Sequence, residues 1–338
     1  MDYVAVFGIG STNFRYTVAN SCGEFVEDIS VEPTRHRELP AQLTAAIDEL
    51  QTATPHTLDA VGISCTGLVD SPAGVIRDLD TPAGETIDRL DIATPIDQAH
   101  GLPVVLANDC NAAALGEWWF GARADQDCLV HVTVGTGIGG GIVEQGRPVR
   151  GEAGQAGEFG LLPVAPHSGL TSTGVRGAWE AVCSGRGIPQ YVAQRANEAA
   201  NSDVSDDGRT ILGLLLDADQ SAWTAEDIFD AAAAGDSFAQ DCLDEVAQYN
   251  AAGIAAICNA VNPGVITLGG GITLNNPDWI IEGIEASLEE YLFVERPSIQ
   301  LTPLGDDIGL YGALAAVRFQ TERSALASTA DHSRARTE

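Results

Sequence analysis

Three times in this chain an apolar run of strand length stops at a glycine-rich turn. Residues 3–7 (YVAVF) lead into Gly8-Ile9-Gly10-Ser11-Thr12-Asn13, residues 129–134 (LVHVTV) into Gly135-Thr136-Gly137, and residues 265–268 (VITL) into Gly269-Gly270-Gly271. Glycine lets a backbone approach another group with no Cβ in the way. A strand that ends in such a turn can present successive amides as an anion-binding nest. For any one turn taken alone, a plain β-hairpin is the simpler reading. The recurrence is what constrains the fold, because it reads as one β-β-β-α-β-α unit in each half of the chain. At 338 residues the chain is too long for one small core and suits two α/β domains sharing a cleft.

The stretch 103–160 lies between the outer turns and carries the chemistry-bearing residues in sequence. A buried-type strand at 104–107 ends at Asn108-Asp109, and an alanine-rich helix at 110–118 follows. Beyond the second turn, Gly139-Gly140-Gly141 continues the glycine run, and an acidic loop at 152–160 contains Glu158. Asp109 reads first as an N-cap, worth about 1 kcal/mol. A carboxylate fixed on a helix start is equally well placed to take a proton from a hydroxyl, and the two roles are compatible.

The remaining elements follow from periodicity and punctuation. A hairpin at 20–23 leads to a third strand near 24–31, and helical spacing covers 39–50. Residues 60–65 form a strand running into Thr66-Gly67, and 78–94 reads as an irregular acidic loop. A helix beginning at 176–182 carries Glu180, a polar break spans Asn201–Asp207, and Thr224 with Asp227 makes a capping box. A long amphipathic helix covers 238–260. The expected boundaries are an N-terminal lobe at 1–108, joined by the C-terminal helix 309–319, and a C-terminal lobe at 109–308. A polar, small-residue tail at 321–338 is expected to be disordered.

Composition excludes several classes. Asp and Glu total 48 against 17 basic residues, all of them arginine, for a net charge of −31. An acidic surface without lysine suits molar salt, where the Debye length is about 3 Å and self-repulsion is screened. It opposes nucleic acid, whose phosphates need a basic face. The seven cysteines are scattered with no C-x-x-C pair, which fits reduced thiols and neither a disulfide frame nor a zinc site. There is no apolar run of membrane-spanning length and no basic N-terminal leader, so a cytoplasmic protein is expected.

The segments VVLANDCNAAALGE, HVTVGTGIGGGIVEQGRPVRGEAGQAGEFG, NPGVITLGGGIT and TAEDIFDAAAAGDSFAQ together resemble the ROK family of sugar kinases and sugar-responsive regulators. That family lies within the actin/hexokinase-like superfamily, and the resemblance covers about residues 3–319. It implies two RNase-H-like (actin-like ATPase) α/β domains with an interdomain cleft that closes over ATP and a sugar. It further implies transfer of the γ-phosphate to a sugar hydroxyl, with Asp109 as general base. Asn108, Glu158 and Glu180 match sugar-hydroxyl ligands, and Ser64 and Gly67 match a loop facing the sugar. Gly10, Ser11, Thr12, Asn13, Thr136, Gly137, Gly269, Gly270 and Gly271 fall where the family holds phosphates and adenosine. Mg2+ would ride with the nucleotide, and a homodimer is expected by analogy.

Three departures stand out against that resemblance. The family's first phosphate loop opens with Asp, here Gly8; its glycine-histidine pair after the acidic loop has Leu161 for histidine; and its zinc knuckle reads Thr171–Ala178 without a cysteine. No protein-held metal is therefore expected. With ordinary hexose recognition altered, a phosphorylated pentose such as ribose 1-phosphate stays open as the acceptor. Arg15, Arg77, Arg147, Arg150 and Arg176, in or near the motif loops, could bind such an anion, although surface salt bridging explains them more simply. A non-catalytic sugar or nucleotide sensor is the other alternative, raised by Gly8 and opposed by the retained Asn108-Asp109 pair. A DNA-binding regulator is not expected, because the first turn begins by residue 8 and the charge is strongly acidic.

The charge makes one testable statement. Raising KCl from about 0.1 to about 1 M shortens the Debye length from about 10 to about 3 Å, and the thermal unfolding midpoint should rise by several degrees, as read by differential scanning fluorimetry.

Overall fold

The computed structural model describes residues 1–123, 125–200 and 223–334, with no side-chain description at 200 and 325–334. The polar break expected at Asn201–Asp207 lies outside these residues. Contacts divide the chain into two units. One comprises Met1–Asp125, Gly141–Ala156 and Pro303–Glu338; the other comprises Gln126–Gly140 and Gly157–Thr302.

In the first unit, β1 (Tyr3–Ile9), β2 (Asn13–Asn20) and β3 (Ser30–Pro33) form an antiparallel meander. Helix α1 (Leu39–Ala53) then crosses to β4 (Ala60–Cys65), which pairs parallel to β1. β5 (Leu68–Asp70), β6 (Val75–Asp80) and β7 (Thr86–Asp91) build a separate three-stranded antiparallel sheet. Helix α2 (Ala93–His100) closes on left-handed Gly101, and β8 (Val104–Asn108) pairs parallel to β4 and leads into α3 (Asp109–Phe120). The sheet order is β3-β2-β1-β4-β8.

Period-2 alternation along β1 explains why this sheet is covered on both faces. Ala5 and Phe7 point into a core with Leu39, Leu43, Ile47 and Ile63. Val4 and Val6 point the other way, to Leu310, Ala313, Leu314 and Val317 of the C-terminal helix (Ile308–Arg334). Every residue of β4 is buried, as a central strand between two helical layers requires.

The second half repeats the plan. β9 (Cys128–Val134), β10 (Ile138–Glu144) and β11 (Arg147–Pro148) open it, and a hairpin of β12 (Thr171–Ser172) and β13 (Val175–Arg176) follows. Next come α4 (Trp179–Cys183), α5 (Gly187–Ala200), α6 (Ala225–Ala233) and α7 (Ser237–Val261). β14 (Val265–Gly269), α8 (Gly271–Asn275), α9 (Pro277–Ser287) and β15 (Ser298–Leu301) complete it. The order β11-β10-β9-β14-β15 is the first sheet's order repeated, which is the internal echo expected from the glycine turns. The Thr224–Asp227 capping box is present at the start of α6. No helix of the described residues is long and apolar enough to cross a membrane.

Several elements differ from expectation, each for a physical reason. The first unit extends beyond residue 108 because α3 packs backbone to backbone on the C-terminal helix. A Cβ on Gly116 would lie 3.0 Å from the Gly312 nitrogen, and one on Gly312 would lie 2.5 Å from the Ala112 carbonyl carbon. The third strand lies at Ser30–Pro33 and not at 24–31, where Phe25 makes only an isolated bridge to Ala19. The loop expected at 78–94 contains β7, whose two apolar residues, Ile87 and Leu90, fall on opposite faces and give no alternation; its pairing with β6 forms it. The tail expected to be disordered continues as helix to Arg334. It has neither glycine nor proline from 321 to 334, and Arg318 pairs with Glu322 one turn on at 3.6 Å.

The helix crossing supplies a test in which two effects oppose. Intrinsic propensity favours alanine over glycine by about 1 kcal/mol in a helix, yet Gly312→Ala should cost about 1–3 kcal/mol from the clash at Ala112, measured by urea denaturation.

Candidate functional site

The parallel strands of the first unit end together. Ile9 pairs with Cys65 and Cys65 with Asn108, so the first glycine turn, the Ser64–Gly67 loop and Asn108-Asp109 share the C-terminal edge of one sheet. That edge is where open α/β sheets place ligands. The turn is held from within: the Gly10 amide donates to the Asn13 carbonyl, while Thr34 donates its amide to the Thr12 carbonyl and its hydroxyl to the Gly10 carbonyl. Ser11, Thr12 and Asn13 are left exposed at its tip. The Asn108 amide nitrogen reaches the Gly67 carbonyl at 3.5 Å, joining two of these segments.

At the start of α3 the cap is Asn108, not Asp109. Its Oδ1 accepts from the amides of Cys110 and Asn111, both at 3.2 Å. Asp109 is the first helical residue. Its Oδ1 accepts from Asn108 Nδ2 at 3.0 Å and from the Cys110 amide at 2.9 Å, at the positive end of the helix dipole. Burial, with a further push from the Asp109 charge, raises the Cys65 thiol well above its ordinary range, which keeps it protonated.

In the second unit the other two turns lie against each other at the ends of β9 and β14, neighbouring parallel strands that pair Thr133 with Gly269. A Cβ on Gly135 would stand 3.9 Å from the Gly271 nitrogen. Gly270 has a φ of 86° and its missing Cβ would strike the Val134 carbonyl oxygen at 2.5 Å, so only glycine fits there. The Gly185 amide donates to the Gly135 carbonyl, and Arg186 donates its amide and its Nε to the Thr136 carbonyl. Beside this point opens a cavity of about 1040 Å³ lined by Gly185, Arg186, Gln190, Gln194, Trp223 and Thr224, among others. The buried Trp223 indole nitrogen has no hydrogen-bond partner among the described residues.

Glu180 stands in the same unit against the second turn. Its Oε2 accepts from the Ile138 amide at 3.1 Å, and its Oε1 accepts from the Ser172 hydroxyl at 2.5 Å. Gly137 and Gly160 flank the carboxylate closely enough that a Cβ on either would approach Oε2 within 2.8 or 3.1 Å. Glu158 precedes the tight turn 159–161. Partial withdrawal from water, and then the charge of Glu180, raise its carboxyl above the usual range.

The structure thus gathers Gly10, Ser11, Thr12, Asn13, Ser64, Gly67, Asn108 and Asp109 at one edge of the first unit. Thr136, Gly137, Glu158, Glu180, Gly269, Gly270 and Gly271 belong to the second. Gly140 and Gly141 have a packing role instead. A Cβ would meet the Phe159 ring at 2.3 Å from Gly140 and the Cys110 carbonyl at 2.5 Å from Gly141. Sequence reading missed Ser172, Arg186 and Trp223, although the Gly185-Arg186-Gly187 run just after Glu180's helix was a visible signal.

For magnesium, the three turns provide no carboxylate. A side chain at Gly8 would have ordinary room, its Cβ 3.6 Å from Gly309, so the lack is one of chemistry and not of space. Among the described residues no three His, Cys, Asp or Glu side chains gather to hold a metal ion. The residues present do not fit a protein-ligated magnesium.

Comparison with known proteins converges on one group. The ROK family model matches residues 4–319. The chain is 30% identical over 322 residues to a glucokinase of Halalkalibacterium halodurans, covering 92% of this chain and 93% of that enzyme. Among solved structures it superposes on a ROK hexokinase from Thermus thermophilus with a TM-score of 0.78 at 29% identity, over 95% of this chain and 99% of that one. It also matches a ROK family glucokinase from Streptomyces griseus, solved in complex with glucose and AMPPNP. There the TM-score is 0.72 at 30% identity, over 92% and 98% of the two chains.

The raised Glu158 carboxyl predicts a pH-dependent stability difference. A carboxyl whose folded pKa exceeds its unfolded value disfavours the fold once pH rises through the folded value, and has no effect below the unfolded one. Glu158→Gln should therefore unfold at a higher temperature than the parent at pH 7.5, with the gap closing near pH 4, as followed by circular dichroism.

Proposed function

We propose, from the premise that this chain belongs to the ROK family, that it is an ATP-dependent sugar kinase in which Asp109 removes the proton from the attacking hydroxyl. The observation that carries the reading is the division of labour at the start of α3. Asn108 does the capping, so helix stability does not require the Asp109 carboxylate, which is nonetheless oriented by two donors at the ligand edge of its sheet.

Phosphoryl transfer is mostly positioning and charge stabilisation. In this reading the exposed tip of the first turn and the paired turns at Thr136-Gly137 and Gly269-Gly270-Gly271 hold the phosphate tail with main-chain amides. The large cavity beside Arg186 takes the nucleoside, with Trp223 and Gln190 among the side chains that line it for a planar base. A metal bound to the nucleotide would neutralise phosphate charge. Asp109 acts as general base, a contribution of about 10²–10⁴-fold in typical enzymes. Asn108, Ser64, Gly67, Glu158 and Glu180 bind the acceptor hydroxyls.

Two observations favour a neutral sugar over a sugar phosphate. Burial, and then the charge of Glu180, already raise the Glu158 carboxyl, and this pair of acids is a poor setting for a phosphate. Two of the motif-loop arginines are also engaged elsewhere, Arg15 with Asp307 at 2.6 Å and Arg77 with Asp70 at 3.1 Å. Glucose, the ligand in the Streptomyces griseus complex, is the first acceptor to try.

The test is coupled ADP release with ATP and magnesium in molar KCl, across neutral hexoses and ribose 1-phosphate. Turnover is expected with a neutral sugar. Asp109→Ala should lower kcat by about 10²–10⁴-fold while nucleotide binding and the unfolding transition are retained; a variant at near-parental rate removes the base assignment. Sugar binding without turnover by the parent protein would instead indicate a sensor.

A further inference from the structure

Just ahead of Glu180, the resembled family has a cysteine knuckle for structural zinc, and the residues here do not fit that metal. Thr171, Thr173 and Ala178 stand at the cysteine positions and Leu161 at the histidine. Ala178 is fully buried and bridges to Pro163. The segment is nevertheless closely organised. β12 and β13 pair Thr171 with Arg176 and Ser172 with Val175. Between them Thr173 and Gly174 take successive left-handed conformations, φ 50° and 80°, the geometry of a tight two-residue hairpin turn. A β-branched residue rarely adopts that φ, so the surroundings must hold it.

Those surroundings are visible. The Gly177 amide donates to the Leu170 carbonyl, the Ala165 amide to the Gly177 carbonyl, and the Trp179 amide to the Leu162 carbonyl. Trp179 is 1% exposed and lies flat on α7, where a Cβ on Gly253 would stand 2.6 Å from its ring. Its indole nitrogen donates to Asn250 Oδ1 at 2.8 Å. The anchor of this corner is thus a buried aromatic ring with a satisfied donor.

We propose that this metal-free hairpin replaces the zinc knuckle, and that Ser172 is the positioning residue that fixes the Glu180 carboxylate for the acceptor sugar. A carboxylate offers about four acceptor sites. The Ile138 amide fills one on Oε2 and the Ser172 hydroxyl fills one on Oε1, which pins the plane of the group from both sides. Gly137 and Gly160 lie close beside it, where any larger residue would crowd Oε2. Among the described residues no other donor to the carboxylate is seen, which leaves its remaining acceptor sites for a sugar hydroxyl. Without Ser172, the plane is held from one side alone. The inference rests on Glu180 being a sugar ligand, as proposed above.

The test has two independent arms. Zinc measured by mass spectrometry in protein purified without chelators should be far below one per chain, and 1,10-phenanthroline should leave the unfolding midpoint unchanged. Stoichiometric zinc, or a chelator-induced loss of stability, overturns the metal-free hairpin whatever the protein's activity. In the second arm, Ser172→Ala should raise the sugar KM about tenfold, with kcat and the KM for ATP within about twofold of the parent. Ser172→Thr should restore the sugar KM. An unchanged sugar KM in Ser172→Ala, or equal losses in both variants, overturns the positioning role. Calorimetric titration with sugar reads the same contrast without turnover, so an inactive but sugar-binding parent sinks the kinase reading and still decides this one.

Discussion

Parallel pairing of adjacent strands is the constraint on which the rest of the molecule depends. Because β1, β4 and β8 run the same way in register, the segments that follow them must emerge at one edge, and the same holds for β9 and β14. A register slip of one residue would send each set of side chains to the opposite core, so the burial of Ala5 and Phe7 on one side and Val4 and Val6 on the other fixes where Gly8, Ser64 and Asn108 lie. The placement of polar groups at the sheet edges is therefore set by hydrophobic packing some distance behind them. Helix starts and glycine turns then convert that placement into aimed donors and acceptors.

Much of this was legible in the sequence. The fold class, the doubled unit and the capping box at Thr224 rest on periodicity and local turn chemistry, which act over a few residues. What was not legible depended on partners far away along the chain. Two adjacent residues could each have capped α3, and the pairing of Cys65 with Asn108 determines which one does. The glycines at 139–141 all look alike in one dimension, yet Gly140 and Gly141 are small because of the Phe159 ring and the Cys110 carbonyl. Likewise, nothing around Ser172 announces a role, since its partner is reached through a hairpin whose turn residue, Thr173, has the wrong intrinsic preference for it.

Electrostatics separates the surface from the site. The ion pairs that arginine makes, such as Arg37–Glu85 and Arg296–Glu285, are exposed and individually weak. The great excess of carboxylates goes unmatched on the exterior. At the site, by contrast, Asp109 and Glu180 are each given specific donors from the backbone and from a neighbouring side chain. Charge that is diffuse over the exterior is directional at these two half-buried carboxylates.

The contact of Gly116 with Gly312 has a practical corollary. The helix that bears Asp109 rests without intervening side chains on the last helix of the chain, and the short turn just ahead of that helix is tied to β2 through Arg15 and Asp307. A side chain larger than glycine at either contact point would therefore push the helix that bears Asp109 off its support, so packing well behind that carboxylate sets where it stands.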